Sequence, residues 1–256
     1  YEAIRKEIME ELKETDIHRV PSMLAKITRL QQVTGSPQLI GAPTKKGDSI
    51  KFKALDDLIE EIVEGAKEKV IIFTKFKELL HILADRYSKF NCAIIHGDVP
   101  TSALPEKEAL ERCKKKYGTR WNTMSESEKS SILKELTTSA RQQQVYKFQE
   151  DPACKLFIGT TEACKEGLTL TAASNVIFVD YPWNWASYSQ AFSRAHRIGQ
   201  KNAVTVYNLI CKGSVDEKIF KVIMDKKSLS EFIIDTKVNM DEVSTRRAFQ
   251  FIKDVI

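Results

Sequence analysis

Short apolar runs set between helix-like stretches constrain this chain more than any other feature. "VIIFT" (Val70–Thr74) is a continuous apolar run, the mark of a strand buried on both faces. "CAIIHG", "KLFIGT", "NVIFVDY" and "AVTVYNLI" follow it as further strands. Between them lie the helical rhythms "FKELLHILADRY", "RQQQVYKFQ", "WASYSQAFSRAHRI" and "VDEKIFKVIMDKK". Strands alternating with helices imply βαβ units and a mostly parallel sheet, because parallel neighbours need a crossover. Function in such sheets gathers in loops beyond the carboxyl ends of the strands. Those loops are Thr74–Phe76, His96–Asp98, Gly159–Gly167 and Tyr181–Trp185.

Two regions depart from the alternation. Before the first strand, Ile4, Ile8 and Leu12 recur every four residues, and Met23, Ile27, Leu30 and Val33 every three or four. These are two amphipathic helices. The Gly- and Pro-containing "GSPQLIGAPTKKGDS" then reads as a loop, and Leu55, Leu58, Ile59 and Ile62 mark a third helix. The second region, about 99–140, is polar and helix-prone, with Gly118 as a break. It is too long for a plain loop and predicts an inserted helical hairpin. It is either a solvated excursion or a basic face, with Lys114, Lys115, Lys116 and Arg120, that touches nucleic acid.

Composition adds bounds. The chain has 256 residues, 42% of them hydrophobic, enough for one large core with appendages. A formal charge of +5 is compatible with nucleic acid without pointing to it. No apolar run is long enough for a membrane span, and no signal-peptide pattern opens the chain. Cys92, Cys113, Cys154, Cys164 and Cys211 show no C-x-x-C spacing, so free thiols are expected and no metal site. A start at Tyr1 predicts an excised fragment.

The stretch "WASYSQAFSRAHRIGQ" raises the question of an anion. On a helix, Gln190, Arg194 and Arg197 form one stripe at i, i+4 and i+7. Ala191, Ala195 and Ile198 form a small apolar stripe beside it that would seat the helix on the sheet. Two guanidiniums so presented suit a polyphosphate, unless surface carboxylates pair with them.

"QAFSRAHRIGQ" closely resembles the sixth helicase motif of the Swi/Snf-type ATPases, usually QAxDRAHRIGQ, with a clear departure only at Ser193. "TTEACKEGLTLTAASNVIFVDYPWNW" resembles the fifth motif and its following strand, and "VIIFTKF" the fourth. "IHGDV", "RQQQVYKFQED", the lead-in "LQQVTGSPQLI" and the brace "VYNLICKGSVDEKIFKVIMDKK" extend the likeness from roughly Leu24 to Leu229. "ACK" (Ala163–Lys165) stands where that family commonly has Ala-Gly-Gly, and "WNW" has tryptophan where proline is usual.

The resemblance implies an α/β, RecA-like three-layer domain with a mostly parallel sheet, a helical N-terminal extension, a helical insertion and a C-terminal brace helix. It implies a lead-in over 1–47 from a missing first lobe, a second lobe over 48–213 with an insert about 99–140, and a brace and tail over 214–256. The implied function is the second motor lobe of an ATP-dependent double-stranded DNA translocase or remodeller.

No G-x-x-x-x-G-K-[ST] loop occurs, and no strand ends in an Asp-Glu pair that could hold Mg²⁺. Asp56-Asp57 and Glu60-Glu61 read as a solvated helix face. The chain therefore has half an active site, and ATP and Mg²⁺ are expected mainly on the first lobe, in the same polypeptide. By resemblance, Arg194 and Arg197 would act as arginine fingers. Gln190, Gly167, Leu168 and Thr169 would face the nucleotide. Thr74, Lys75, His96, Gly97, Thr160 and Thr161 would meet the DNA backbone. Trp183 and Trp185 are expected to pack against the following helix rather than stack on a base.

The isolated chain is expected to lack ATPase activity. A non-catalytic DNA- or protein-binding scaffold is the alternative, for which Ser193 and the insert leave room. The Lys- and Ile-rich lobe leans towards a prokaryotic or viral source, hence cytoplasm or nucleoid; a eukaryotic source would mean the nucleus. Composition indicates no particular oligomeric state.

Overall fold

A computed structural model describes residues 1–13, 20–41, 49–165, 167–225, 252, 253 and 255. Five strands form one all-parallel sheet: β1 (Val70–Thr74), β2 (Ala93–Ile95), β3 (Leu156–Thr160), β4 (Asn175–Phe178) and β5 (Thr205–Asn208). Their order across the sheet is β2-β3-β1-β4-β5. The chain leaves β1 towards one edge, returns to β3 beside it, then crosses to β4 on the other side. That reversal opens a crevice above the carboxyl ends of β1, β3 and β4.

Alternation along each strand divides the core in two. Ile71, Phe73, Phe157, Val176 and Phe178 face one layer of helices, and Val70, Ile72, Leu156, Ile158 and Ile177 face the other. On the first face lie α1 (Glu2–Lys13), α2 (Val20–Gly35), α8 (Ala140–Glu150), α9 (Trp185–Phe192) and α10 (Val215–Met224). Of the periodic apolar positions, Ile8, Met23, Ile27 and Leu30 are fully buried there and Ile4 and Val33 half-buried, while the side chain of Leu12 lies outside the described residues. On the second face lie α3 (Ile50–Ile59) and α4 (Lys77–Arg86), through Phe52, Leu55, Ile59, Leu79, Leu80 and Leu83. Full burial of β1, β3 and β4 explains why their sequences show no polar face.

The predicted insert contains α5 (Glu106–Tyr117), α6 (Thr119–Thr123) and α7 (Glu126–Leu136), with α5 packed on α7. Gly118 breaks it at φ 54°, a left-handed value that favours glycine. The brace α10 packs on α2 and α9. The expected 35–49 loop begins as a 3₁₀ turn, Pro37–Ile40, capped by the Ser36 hydroxyl. Its remainder over 42–48, the lead-in boundary at 47, and most of the tail after 225 lie outside the described residues.

Two local expectations are corrected. Asp56 is not simply solvated, because it accepts bonds from the Arg86 guanidinium and, at 2.7 Å, the Tyr87 hydroxyl. The helix expected to run from Trp185 to Ile198 stops at Phe192. The amides of Arg194 and Ala195 fold back onto the carbonyls of Ala191 and Phe192, three residues earlier, and the Ser193 hydroxyl donates to Gln190 O at 2.8 Å. These shorter links, with a competing serine hydroxyl, end the α-helical ladder. Ile198 is consequently fully exposed and seats nothing, whereas Ala191 and Ala195 are buried. Among the described residues no helix is long and apolar enough to cross a membrane.

Candidate functional site

The carboxyl rim is organised by one buried carboxylate. Asp180, two residues past β4, accepts from the Thr74 hydroxyl and, at 2.6 Å, from the Lys75 amide. Burial raises its pKa, and these two donors oppose the rise. Thr74 therefore points inward, fully buried, while Lys75 turns towards the crevice. The Lys75 ammonium sits 3.8 Å from the Trp183 ring centroid and 3.2 Å from Gln31 Oε1. Burial lowers its pKa to about 8, against the pull of Asp180 and Glu162. Gln31, itself fully buried on α2, also accepts from the Trp183 indole N–H and donates to Tyr181 O at 3.0 Å. One glutamine thus ties the lead-in helix to the ends of β1 and β4. Beside it lies an open cleft of about 570 Å³, lined in part by Lys75, Glu162, Lys165, Trp183 and Gln190.

The two motif arginines occupy different environments. Arg194 is 7% exposed and donates to Lys165 O, while its own carbonyl accepts from Leu170 N at 2.9 Å. It clamps the loop after β3 at both ends. Arg197 is exposed, and its guanidinium donates to Leu168 O and Thr169 Oγ1, both at 3.1 Å. Gly167 enters that segment at φ 71°. Leu168 is buried, so its carbonyl rather than its side chain addresses Arg197. Gln190, exposed in the last turn of α9, borders the cleft. Ser193 has a local role as the helix C-cap.

Cys164 explains part of the unusual "ACK". A Cβ on Gly159 would lie 2.6 Å from the Cys164 sulfur, so the thiol fills the space above that glycine. Burial pushes this thiol up to about 12, which leaves it inert as a nucleophile. Lys165 pairs with Glu162 at 2.5 Å across the loop.

The remaining rim residues divide by exposure. Thr160 and Thr161 are 6% and 0% exposed, and Thr161 N donates to Thr74 O at 2.9 Å, extending the β1–β3 pairing. The Thr161 hydroxyl, like that of Thr74, is buried. His96 is partly buried against His81, with ring centroids 5.1 Å apart, and its Nδ1 accepts from Asp98 N at 3.3 Å. Burial lowers its pKa, and His81 and Lys77 lower it further. Gly97 is exposed in the same turn.

Sequence reasoning missed five residues that hold this site, Gln31 among them. Asp180 could have been suspected as a lone carboxylate ending an apolar strand. Gln200, the last residue of the arginine motif, donates from one amide nitrogen towards Thr171 O, Ala173 O and Ala195 O. Lys51 and Asp216, 3% and 0% exposed, pair at 2.6 Å, with Lys51 also donating to Val179 O and Thr34 to Asp216. No spacing in the sequence relates positions so far apart.

The Helicase conserved C-terminal domain family matches residues 50–199, more than half of the chain. The chain belongs to that helicase family. It is homologous to the Swi2/Snf2 ATPases and matches their second lobe. It is 43% identical over 99 residues to the chromatin-remodeling ATPase INO80 of Mycosarcoma maydis, covering 39% of this chain and 5% of that protein. It is 28% identical over 206 residues to the ATP-dependent helicase FUN30 of Saccharomyces cerevisiae, covering 80% of this chain and 15% of that protein. The helicase lobe thus spans a small fraction of these relatives.

Among solved structures, the C-terminal part of the Fun30 ATPase domain matches with a TM-score of 0.56 and 26% identity, over 84% of this chain and 57% of that one. The Sulfolobus solfataricus SWI2/SNF2 ATPase C-terminal domain matches in fold, with a TM-score of 0.61 and 21% identity over 99% of this chain and 90% of that one. The helicase lobe is therefore RecA-like. The curated INO80 and FUN30 relatives are eukaryotic, so they lend no support to a prokaryotic or viral source.

Proposed function

We propose that this lobe is the second half of an ATP-dependent motor that translocates along double-stranded DNA, completed by a first lobe in the same polypeptide. The observation that carries the reading is Arg197. It is an exposed, permanently charged fork held at the carboxyl rim by Leu168 O and Thr169 Oγ1. Neither acceptor carries a full charge, so the guanidinium keeps its attraction for phosphate oxygens. Asp180, the carboxylate at the end of β4, is buried and bonded to Thr74 and Lys75. We assign the Walker loop and Mg²⁺ coordination to the first lobe, and Arg197, with Gln190 beside it, to the closing face. When bound there, ATP and Mg²⁺ supply the phosphoryl group and its neutralising cation, and Arg197 stabilises charge on the transferred group.

Arg194 takes a different part: it fixes the shape of the loop whose carbonyl and hydroxyl aim Arg197. DNA phosphates would pass the accessible rim at Lys75, His96 and Gly97, with Thr74, Thr160 and Thr161 supporting that rim from beneath. Such contacts grip the backbone without reading bases. The proposed lobe occupies 48–213, between a lead-in over 1–47 and a brace over 214–256. A nuclear place of work accords with the chromatin-remodelling relatives.

The test joins the chain to its natural upstream region and replaces Arg197 by alanine. DNA-stimulated ATP hydrolysis should fall by roughly 10³–10⁵, while thermal stability stays near that of the wild type. Hydrolysis at the wild-type rate would remove Arg197 from the mechanism.

A further inference from the structure

The helical insert stands outside the motor's minimal needs, yet its base is fastened to the motor's rim. It leaves the carboxyl end of β2 just after His96 and Gly97. Leu104 N donates to Leu136 O at 3.4 Å, and Arg141 N to Pro100 O at 3.2 Å, closing its neck. Arg141, in the first turn of α8, also donates from its guanidinium to Ala163 O at 3.0 Å, in the loop that Arg194 clamps. The far end of α5 lies roughly 18 Å from this neck, at 1.5 Å rise per residue.

That far corner is basic. From residue 112 to residue 125 the chain holds five basic residues and no carboxylate. Arg112 pairs with Glu108, but Lys114, Lys115, Lys116 and Arg120 are exposed and make no ion pair among the described residues. Ala109, Cys113 and Trp121 are buried between the helices. Tyr117 stacks on Trp121 with ring centroids 6.1 Å apart, and Lys116 lies over Tyr117. The helix dipole favours a cation in the last turn of α5 and of α6, but three consecutive lysines and an arginine exceed what two helix ends require. Three lysines with no ion pair among the described residues, together with Arg120, whose charge also acts on Glu128, form a cationic corner that matches a row of backbone phosphates.

We propose that this corner is a second, sequence-independent phosphate-binding surface that grips the same duplex DNA beyond the motor's rim and lengthens its footprint. The inference rests on the motor reading of the lobe. The experiment measures binding of the chain, joined to its upstream lobe, to a long duplex across a salt series. The wild type is compared with the K114Q/K115Q/K116Q/R120Q protein and with one in which residues 105–135 are replaced by a short glycine linker across the neck. Both variants should bind at least tenfold more weakly at low salt, and the slope of log K against log salt should become shallower by about 2–3. The charge variant should melt as the wild type does, and ATP hydrolysis at saturating DNA should persist. An unchanged slope and affinity in the charge variant would overturn the proposal and leave the corner to solvent or to an acidic protein. The two readings fail separately, since hydrolysis surviving Arg197→Ala overturns the motor role whatever the salt slope shows.

Discussion

Arg194 and Arg197 stand three residues apart in one motif, yet only one is available to an external anion. The difference follows from the end of α9 at Phe192, which turns Arg194 under the loop after β3 and leaves Arg197 above it. Lys75 shows the same influence of surroundings on chemistry. Unfolded, its amine titrates near 10.5; folded, burial beside Trp183 brings it to about 8. Between those values the unfolded chain holds a proton that the fold releases, so this group's contribution to stability rises with pH from about 8 to 10.5. It is level below and above that window. The stability difference between wild type and Lys75→Met, followed by denaturant unfolding from pH 7 to 10.5, should shift in favour of the wild type across it. Buried thiols and tyrosines titrate there too, but they cancel in the difference. A difference independent of pH would show that Lys75 is solvated like any surface lysine.

At the scale of elements, α2, α3, α10 and β4 meet at a buried ion pair. Lys51 at the start of α3 reaches Asp216 at the start of α10 and the carbonyl after β4, while Thr34 of α2 holds the other carboxylate oxygen. Removing one partner strands a charge in the core. Lys51→Met should cost about 3–5 kcal/mol of unfolding free energy. Lys51→Met with Asp216→Leu should recover part of that loss, since no charge then remains buried. Chemical denaturation of the wild type, Lys51→Met, Asp216→Leu and the double variant measures the coupling, and simple additivity would mean that the pair is independent in effect. The insert behaves oppositely: its two ends are hydrogen-bonded to each other at the neck, so its helices extend from the sheet without interrupting it.

At the scale of the molecule, the cleft and the exposed motif arginine share one open face at the carboxyl rim. The cleft beside Gln31, Lys75 and Trp183, together with Arg197, opens at the carboxyl ends of the strands, where a partner lobe would bring the phosphates. The isolated chain should therefore hydrolyse no ATP above background. It should bind duplex DNA weakly, with affinity falling steeply as salt increases, because only backbone charge is engaged. A coupled hydrolysis assay and a salt titration of DNA binding check the two statements. Turnover that copurifies with the chain through successive columns would contradict the first.

Strand and helix order, the parallel sheet, the inserted hairpin and the second-lobe family were all legible in the residues, because each depends on local periodicity or on a contiguous motif. The five strands lie where their apolar runs place them, and Gly118 breaks the insert where its backbone freedom is needed. What periodicity could not supply was the end of α9, since the rhythm "WASYSQAFSRAHRI" continues as if helical past Phe192. The ladder ends on bonds to Gln190, Ala191 and Phe192, while Gln200 and Lys165 bring in groups from loops the helical pattern does not contain. Gln31, Asp180, Lys51 and Asp216 were hidden for the same reason. A polar residue on an amphipathic helix or at a strand end looks solvated until a partner a hundred residues away gives it a buried hydrogen bond. The sequence by itself determined the architecture and the family to which its arginine motif belongs. Only the tertiary structure decided which arginine of that motif is buried against the loop after β3 and which stays exposed, because burial depends on where α9 ends and not on spacing.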